Sequence, residues 1–179
     1  MFHLFGKKEK STSVKDVIWL NKQAKNYACS EQLLSNSNTV FVAWFYDTAN
    51  ELDEFLQSTV HAANKVIMAK ELNTALLRDA SIIFVEHYPL KEKEEVLFTK
   101  LQLKEAIVYS ALDDAIFLRF GGENIQQLMI KMGMGESEPV EHALITASIK
   151  RAQQKISKKV TIEQSALSQS EWLKVNLKE

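Results

Sequence analysis

Four short runs along the chain are apolar without polar alternation: residues 40–46, 66–69, 82–85 and 106–109. Strands buried on both faces have this texture, so the pattern predicts a parallel sheet rather than an antiparallel one with a wet face. The stretches between the runs carry helical spacing instead. Leu52, Phe55, Leu56 and Val60 form one apolar stripe, and Leu90, Leu97 and Leu101 form another, with Pro89 placed in a first helical turn. Strand–helix alternation with short links predicts right-handed parallel crossovers and a three-layer α/β/α domain.

Before the first run, residues 14–34 are expected to form a leading helix, with Val14, Val17, Leu20, Ala24 and Tyr27/Ala28 on roughly one side. After the last run the pattern becomes helical over 112–120, 125–132 and 141–160, broken at Gly121-Gly122 and at Gly133-Met134-Gly135. Pro139 marks the start of the longest of these. On it Ile145, Ile149, Ala152, Ile156 and Val160 step by four, three, four and four residues, an apolar seam flanked by Arg151, Lys155 and Lys159. The seam needs a cover: the chain's own sheet, a tail containing Leu167, Trp172 and Leu173, or another molecule. Ile145, Ile149, Ile156, Arg151, Lys155 and Lys159 are therefore the candidate partner-binding residues. Thr161 with Gln164 three positions on is expected to cap a last short helix.

The 179 residues suffice for one medium-sized domain with a buried core, and 46% hydrophobic with 25% charged residues is ordinary globular composition. The expected division is a flexible basic tail over 1–13, an α/β domain over 14–134 and a helical extension over 135–179. One cysteine, Cys29, excludes an internal disulfide framework and a cysteine-based zinc site. No apolar run approaches the roughly 18 residues of a spanning helix, and the opening residues do not read as a secretory leader, so a cytoplasmic protein is expected. A net charge of −1 hides an uneven layout. Lys7, Lys8, Lys10 and Lys15 face only Glu9 at the start; residues 150–159 hold five bases and no acid; residues 47–95 hold ten acids and five bases.

Candidate chemistry is sparse. Glu86 and His87 end a predicted parallel strand, where open α/β sheets bind ligands, but neighbours on a strand point to opposite faces and cannot act as a pair. A ligand-facing strand end and a plain structural role are the two readings of these residues. Asp113-Asp114 is expected to complement the positive end of the helix that follows. His142 has no second histidine or cysteine at metal-ligand spacing. Cys29 reads as a buried inert thiol, Trp44 as core, and Met129, Met132 and Met134 as core or as an adaptable contact surface. No catalytic residue, cofactor or metal is expected.

One stretch carries a more specific signal. Asp113-Asp114, Arg119-Phe120-Gly121, Ile125 with Leu128-Met129, Met132-Gly133-Met134, Glu138-Pro139-Val140-Glu141-His142, and Ala152-Gln153 with Lys155 follow one another with fixed spacing over residues 112–159. This stretch resembles the SecA preprotein-translocase motor where its second nucleotide-binding domain runs into its helical scaffold. The resemblance implies a RecA-like domain of the P-loop NTPase type, with a mainly parallel sheet and helices after it. Upstream the similarity thins, and one departure matters. The family carries a glutamine- and arginine-glycine-rich motif that reaches ATP phosphates, whereas residues 89–109 here contain neither Arg nor Gly.

Phosphoryl transfer is chiefly positioning and electrostatic stabilisation, and an arginine finger contributes roughly 10³–10⁵ in rate. The chain has only Arg78, Arg119 and Arg151, and no G-x-x-x-x-G-K-[ST] loop. The expectation is a non-enzymatic SecA-related domain that binds a protein, either a translocase component or a second copy of itself. Two rival readings stand beside it. One is a nucleotide or nucleic-acid binder using the inherited cleft and the basic helix, against which the acidic middle of the chain argues. The other is a peripheral membrane protein dipping Phe2, Leu4 and Phe5 beside Lys7, Lys8 and Lys10.

Overall fold

The computed structural model describes residues 12–177 except 132, 134 and 136. The expected basic tail and membrane-dipping residues before Thr12 therefore lie outside the described residues, as do Met132 and Met134. The chain runs β1 (Ser13–Trp19), α1 (Lys22–Ser35), β2 (Thr39–Ala43), α2 (Tyr46–Val60), β3 (Val66–Met68), α3 (Leu76–Asp79), β4 (Ser81–Phe84), α4 (Lys91–Lys100) and β5 (Glu105–Ala111). It then continues through α5 (Ala115–Arg119), α6 (Gly122–Lys131), α7 (Ala143–Ser157) and α8 (Gln169–Asn176).

All five strands pair in parallel, in the order β1-β5-β4-β2-β3. Phe41, Ala43, Ile83 and Val85 face α1 and α2, where Cys29, Leu33, Leu52 and Leu56 meet them. Val42, Phe84, Ala106 and Val108 face the opposite side, against Phe98 and Leu101 at α4. Successive strand residues thus feed two separate cores, which is why the strand runs lack polar alternation. The result is the expected three-layer α/β/α domain, consistent with a RecA-like fold.

The leading helix expected over 14–34 is instead a strand followed by a shorter helix. Val14 pairs with Ala106 and Val17 with Tyr109, making β1 the edge strand beside β5. Asn21 starts the helix, its side-chain oxygen accepting the Ala24 amide at 2.8 Å. The outer edge of β1 is covered: Ile18 and Val140 exchange backbone hydrogen bonds at 3.1 and 2.8 Å, and Lys15 pairs with Glu141 at 3.1 Å. Pro139-Val140 therefore docks on the sheet edge before α7 begins.

Other boundaries move as well. Trp44 and Phe45 turn the chain out of β2, and Tyr46 already belongs to α2. Pro89 precedes Leu90, the residue that caps α4. The helix expected after Thr161 begins later, at Ser168, whose hydroxyl accepts the Glu171 amide while Glu171 accepts the Leu167 amide. Gly121 takes a left-handed φ of 92°, and a Cβ on Gly122 would lie 2.5 Å from the Leu112 carbonyl oxygen.

A third core lies at the carboxyl end of the sheet. Ile18, Leu20, Phe45 and Leu112 pack there with Ile116 and Phe117 of α5, Ile149 and Ile156 of α7, and Trp172, Leu173 and Leu177 in and just after α8. The helices after β5 thus close over the strand ends.

Candidate functional site

Connections from β2 and from β4 leave in opposite directions, β2 toward β3 and β4 toward β5, so the crevice between them is the topological switch point. In open α/β sheets that crevice receives ligands, aided by free amides at a helix start. Here the first turn of α2 has no cap from its own chain segment. Glu86, just past β4, ties down the turn that enters it: Oε1 accepts the Trp44 and Phe45 amides, each at 2.9 Å, and Oε2 accepts the Thr48 hydroxyl at 2.9 Å, while the Asp47 amide bonds the Leu167 carbonyl at 3.1 Å. A built-in carboxylate thus takes two backbone amides at the switch point. Burial pushes its carboxyl up to about 7, with the positive charge of Lys25 and the bonds from Phe45 and Thr48 working against that rise.

Beside it lies a buried ion pair. Lys25 of α1 donates to the Val85 carbonyl at 2.9 Å and to Asp114 Oδ1 at 3.1 Å, while Asp114 Oδ2 accepts the Ala111 amide at 2.8 Å. Asp114 was expected to complement the helix that follows it. It occupies the cap position of α5, yet makes no side-chain cap bond and spends both oxygens on Lys25 and the end of β5.

His87 points the other way. Its Nε2 meets Asp16 of β1 at 2.8 Å and its Nδ1 meets Glu94 of α4 at 2.9 Å. Burial opposes a charged ring, but the Glu94 charge and the bonds to both carboxylates outweigh it and raise the imidazole to about 10. The ring is an imidazolium with both nitrogens engaged and 3% exposed. Glu94 also accepts the Tyr88 amide at 2.8 Å and the Gln153 side chain at 2.9 Å, tying α7 to the cluster.

The tail completes the closure. From α8, Gln169 accepts the Ile116 amide and donates to the His87 carbonyl, each at 2.8 Å. Trp172 is fully buried, its indole donating to Glu163 at 3.0 Å. Tyr88 also donates to Glu163; its ring stacks on Phe45 at 5.5 Å and meets Trp172 edge-on at 5.9 Å. Burial and the adjacent Glu163 carboxylate push the phenol up, so it stays protonated.

Glu86 and His87 are therefore where the sequence places them, but both are buried and spent on internal partners. Of the seam, Ile149 and Ile156 lie in the protein's own core and Ile145 packs against it, covered by Trp172 and Leu173. Arg151, Lys155 and Lys159 are exposed. Sequence reasoning missed Lys25, Asp16, Glu94, Gln153 and Gln169. For Lys25 a signal was present: Lys25, Cys29 and Leu33 recur every four residues, a lysine on the buried stripe of α1. Cys29 is buried and its thiol pushed up to about 12 by desolvation. Among the described residues no cluster of metal-ligating side chains exists, and no helix is long and apolar enough to cross a membrane.

Open space lies outside this closed end, in two adjoining hollows of about 570 and 600 Å³ that share Arg119 and Leu177. Arg119, Lys155, Lys158, Lys159 and Lys174 line them, with no carboxylate among the described lining residues.

No family model matches the chain. It is similar to the protein translocase subunit SecA of Treponema denticola, 46% identical over 48 residues, which cover 27% of this chain and 5% of that protein. The SecA subunits of Desulforamulus reducens and Halothermothrix orenii are 48% and 42% identical over 48 residues, again 27% of this chain and 6% of theirs. The chain thus carries a SecA-related segment, and the match spans about a twentieth of the relatives' length.

Proposed function

We propose that this chain is a non-catalytic domain related to the second nucleotide-binding domain of SecA and the start of its scaffold, acting as a protein-binding or regulatory module linked to protein export. One observation carries the reading: the switch-point amides that would receive a ligand are held by Glu86, and Tyr88, Gln169 and Trp172 close the crevice above them. The sequence supports it from another side, since it has no phosphate-loop motif and no arginine between residues 79 and 118. The export link rests on the SecA-related segment. Calorimetric titration of the purified chain into a SecA motor, with a pull-down of translocase components, tests that link. Saturable binding supports it, and absence of both heat and capture removes it. ATP hydrolysis that disappears on substitution within residues 82–109 would overturn the non-catalytic assignment.

A further inference from the structure

We propose that the groove bounded by α5, α7 and α8 is the docking surface for an acidic, amphipathic segment of a partner protein; this deepens the protein-binding reading above and rests on it. The floor is apolar. Leu118 and Phe120 remain 43% and 37% exposed there; Leu177 borders both hollows, Leu173 one and Ile156 the other. The rim is cationic on both sides: Arg119 is shared, Lys174 flanks one hollow, and Lys155, Lys158 and Lys159 flank the other.

Lys15, Lys22, Lys91 and Lys93 each lie against a carboxylate of this chain. Among the described residues no ion pair engages Arg119, Lys155, Lys158, Lys159 or Lys174. Other exposed cations among the described residues, Lys70, Lys100, Lys104 and Lys150 included, also lack an ion pair; the five of the groove are set apart by lying together around an apolar floor. Lys155 instead reaches over the Phe120 ring, 5.8 Å from its centre. Five positive groups around an apolar floor ask for a ligand with both acids and apolar anchors. A bare phosphate or a nucleic-acid backbone would meet the charges and leave the floor wet. The protein's own first eleven residues are a poor occupant, because Lys7, Lys8 and Lys10 against Glu9 give them the sign of the rim. The length of α8, eight residues, spans about 12 Å, so the partner segment fits as two to three helical turns with leucine or phenylalanine anchors at i and i+3 or i+4.

The test uses the full chain and fluorescence anisotropy with a labelled peptide of about twelve residues bearing such anchors and flanking glutamates. Saturable binding that weakens several-fold between about 0.05 and 0.3 M salt is expected. Binding should fall at least tenfold in Lys155→Glu/Lys159→Glu and in Arg119→Glu, each with an unchanged unfolding midpoint. A sequence-scrambled peptide of equal charge should bind at least tenfold more weakly. Four results overturn the proposal: equal binding of the scrambled peptide, tighter binding of single-stranded DNA or of anionic vesicles, indifference to the charge reversals, or salt-sensitive dimerisation through the groove in sedimentation. Peptide binding that survives while SecA capture fails would sink the export link and leave the groove. SecA capture that survives the charge reversals would remove the groove and leave the link.

Discussion

The two ends of this molecule's charge handling contrast sharply. At the carboxyl end of the sheet three buried ionisable groups have internal partners: Glu86 the Trp44 and Phe45 amides, Lys25 Asp114, His87 both Asp16 and Glu94. On the outer side of α5, α7 and α8, five cations stand around an apolar floor with no ion-pair partner among the described residues. Buried charges left unpaired destabilise a fold strongly, whereas exposed ones cost little and stay available to a second molecule. The inner constellation therefore maintains the structure, and the outer one is free to recognise.

That contrast makes the inner end sensitive to substitution and the outer one tolerant. Lys25→Met strips Asp114 of its partner inside the protein, and a loss of about 3–5 kcal/mol in a urea titration is expected. Trp172→Ala should cost a similar amount, about 3–5 kcal/mol, because α8 loses the side chain that seals the strand ends. If either variant unfolded like the parent, the tail would not be the lid described here.

The pH dependence sharpens the same point. Glu86 is raised from 4.5 to about 7 and His87 from 6.5 to about 10, so the folded chain holds both protons more tightly than the unfolded one. The Glu86 carboxyl makes its penalty felt as pH rises from about 4.5 to about 7, and the His87 contribution, complete below about 6.5, is lost toward about 10. Asp16, held below its usual value, acts oppositely and matters only on acidification. Urea midpoints should decline from pH 5 to pH 9. Glu86→Gln, whose amide can still accept the two backbone protons and donate to Thr48, should flatten the lower half of that decline and gain on the order of 1–3 kcal/mol over the parent above pH 7. Parallel profiles for the two proteins would refute the assignment.

Smaller effects follow. Gly122→Ala places a methyl 2.5 Å from the Leu112 oxygen and 2.8 Å from the Phe117 carbonyl carbon, for which about 1–3 kcal/mol is expected in the same titration. Lys158→Ala in the groove should change stability by less than about 0.5 kcal/mol. A large loss there would blur the division between the two regions.

Much of the sheet was legible because a strand buried on both faces leaves an uninterrupted apolar run, as in residues 82–85. β1 escaped because it is an edge strand. Ser13, Lys15 and Asp16 interrupt its run, and Val14, Val17 and Leu20 happen to match helical spacing. The capping asparagine that separates strand from helix, Asn21, was the local signal that could have corrected it. At the site, Glu86 and His87 were located by their position at a strand end. Their partners were not, because Asp16 lies 71 positions from His87 and Thr48 lies 38 from Glu86, separations that only the folded topology closes. The capping of α8 had a visible cue in Ser168 and Glu171, three residues apart, that Thr161 and Gln164 imitated.

The central claim, that the ligand crevice is taken by the chain's own side chains and the protein works through its outer face, meets its most direct test in a calorimetric titration with magnesium–ATP at neutral pH. The account predicts no saturable heat for the parent chain. Stoichiometric, saturable nucleotide binding that persists in Arg119→Glu, and so lies in the crevice rather than the outer groove, would contradict it.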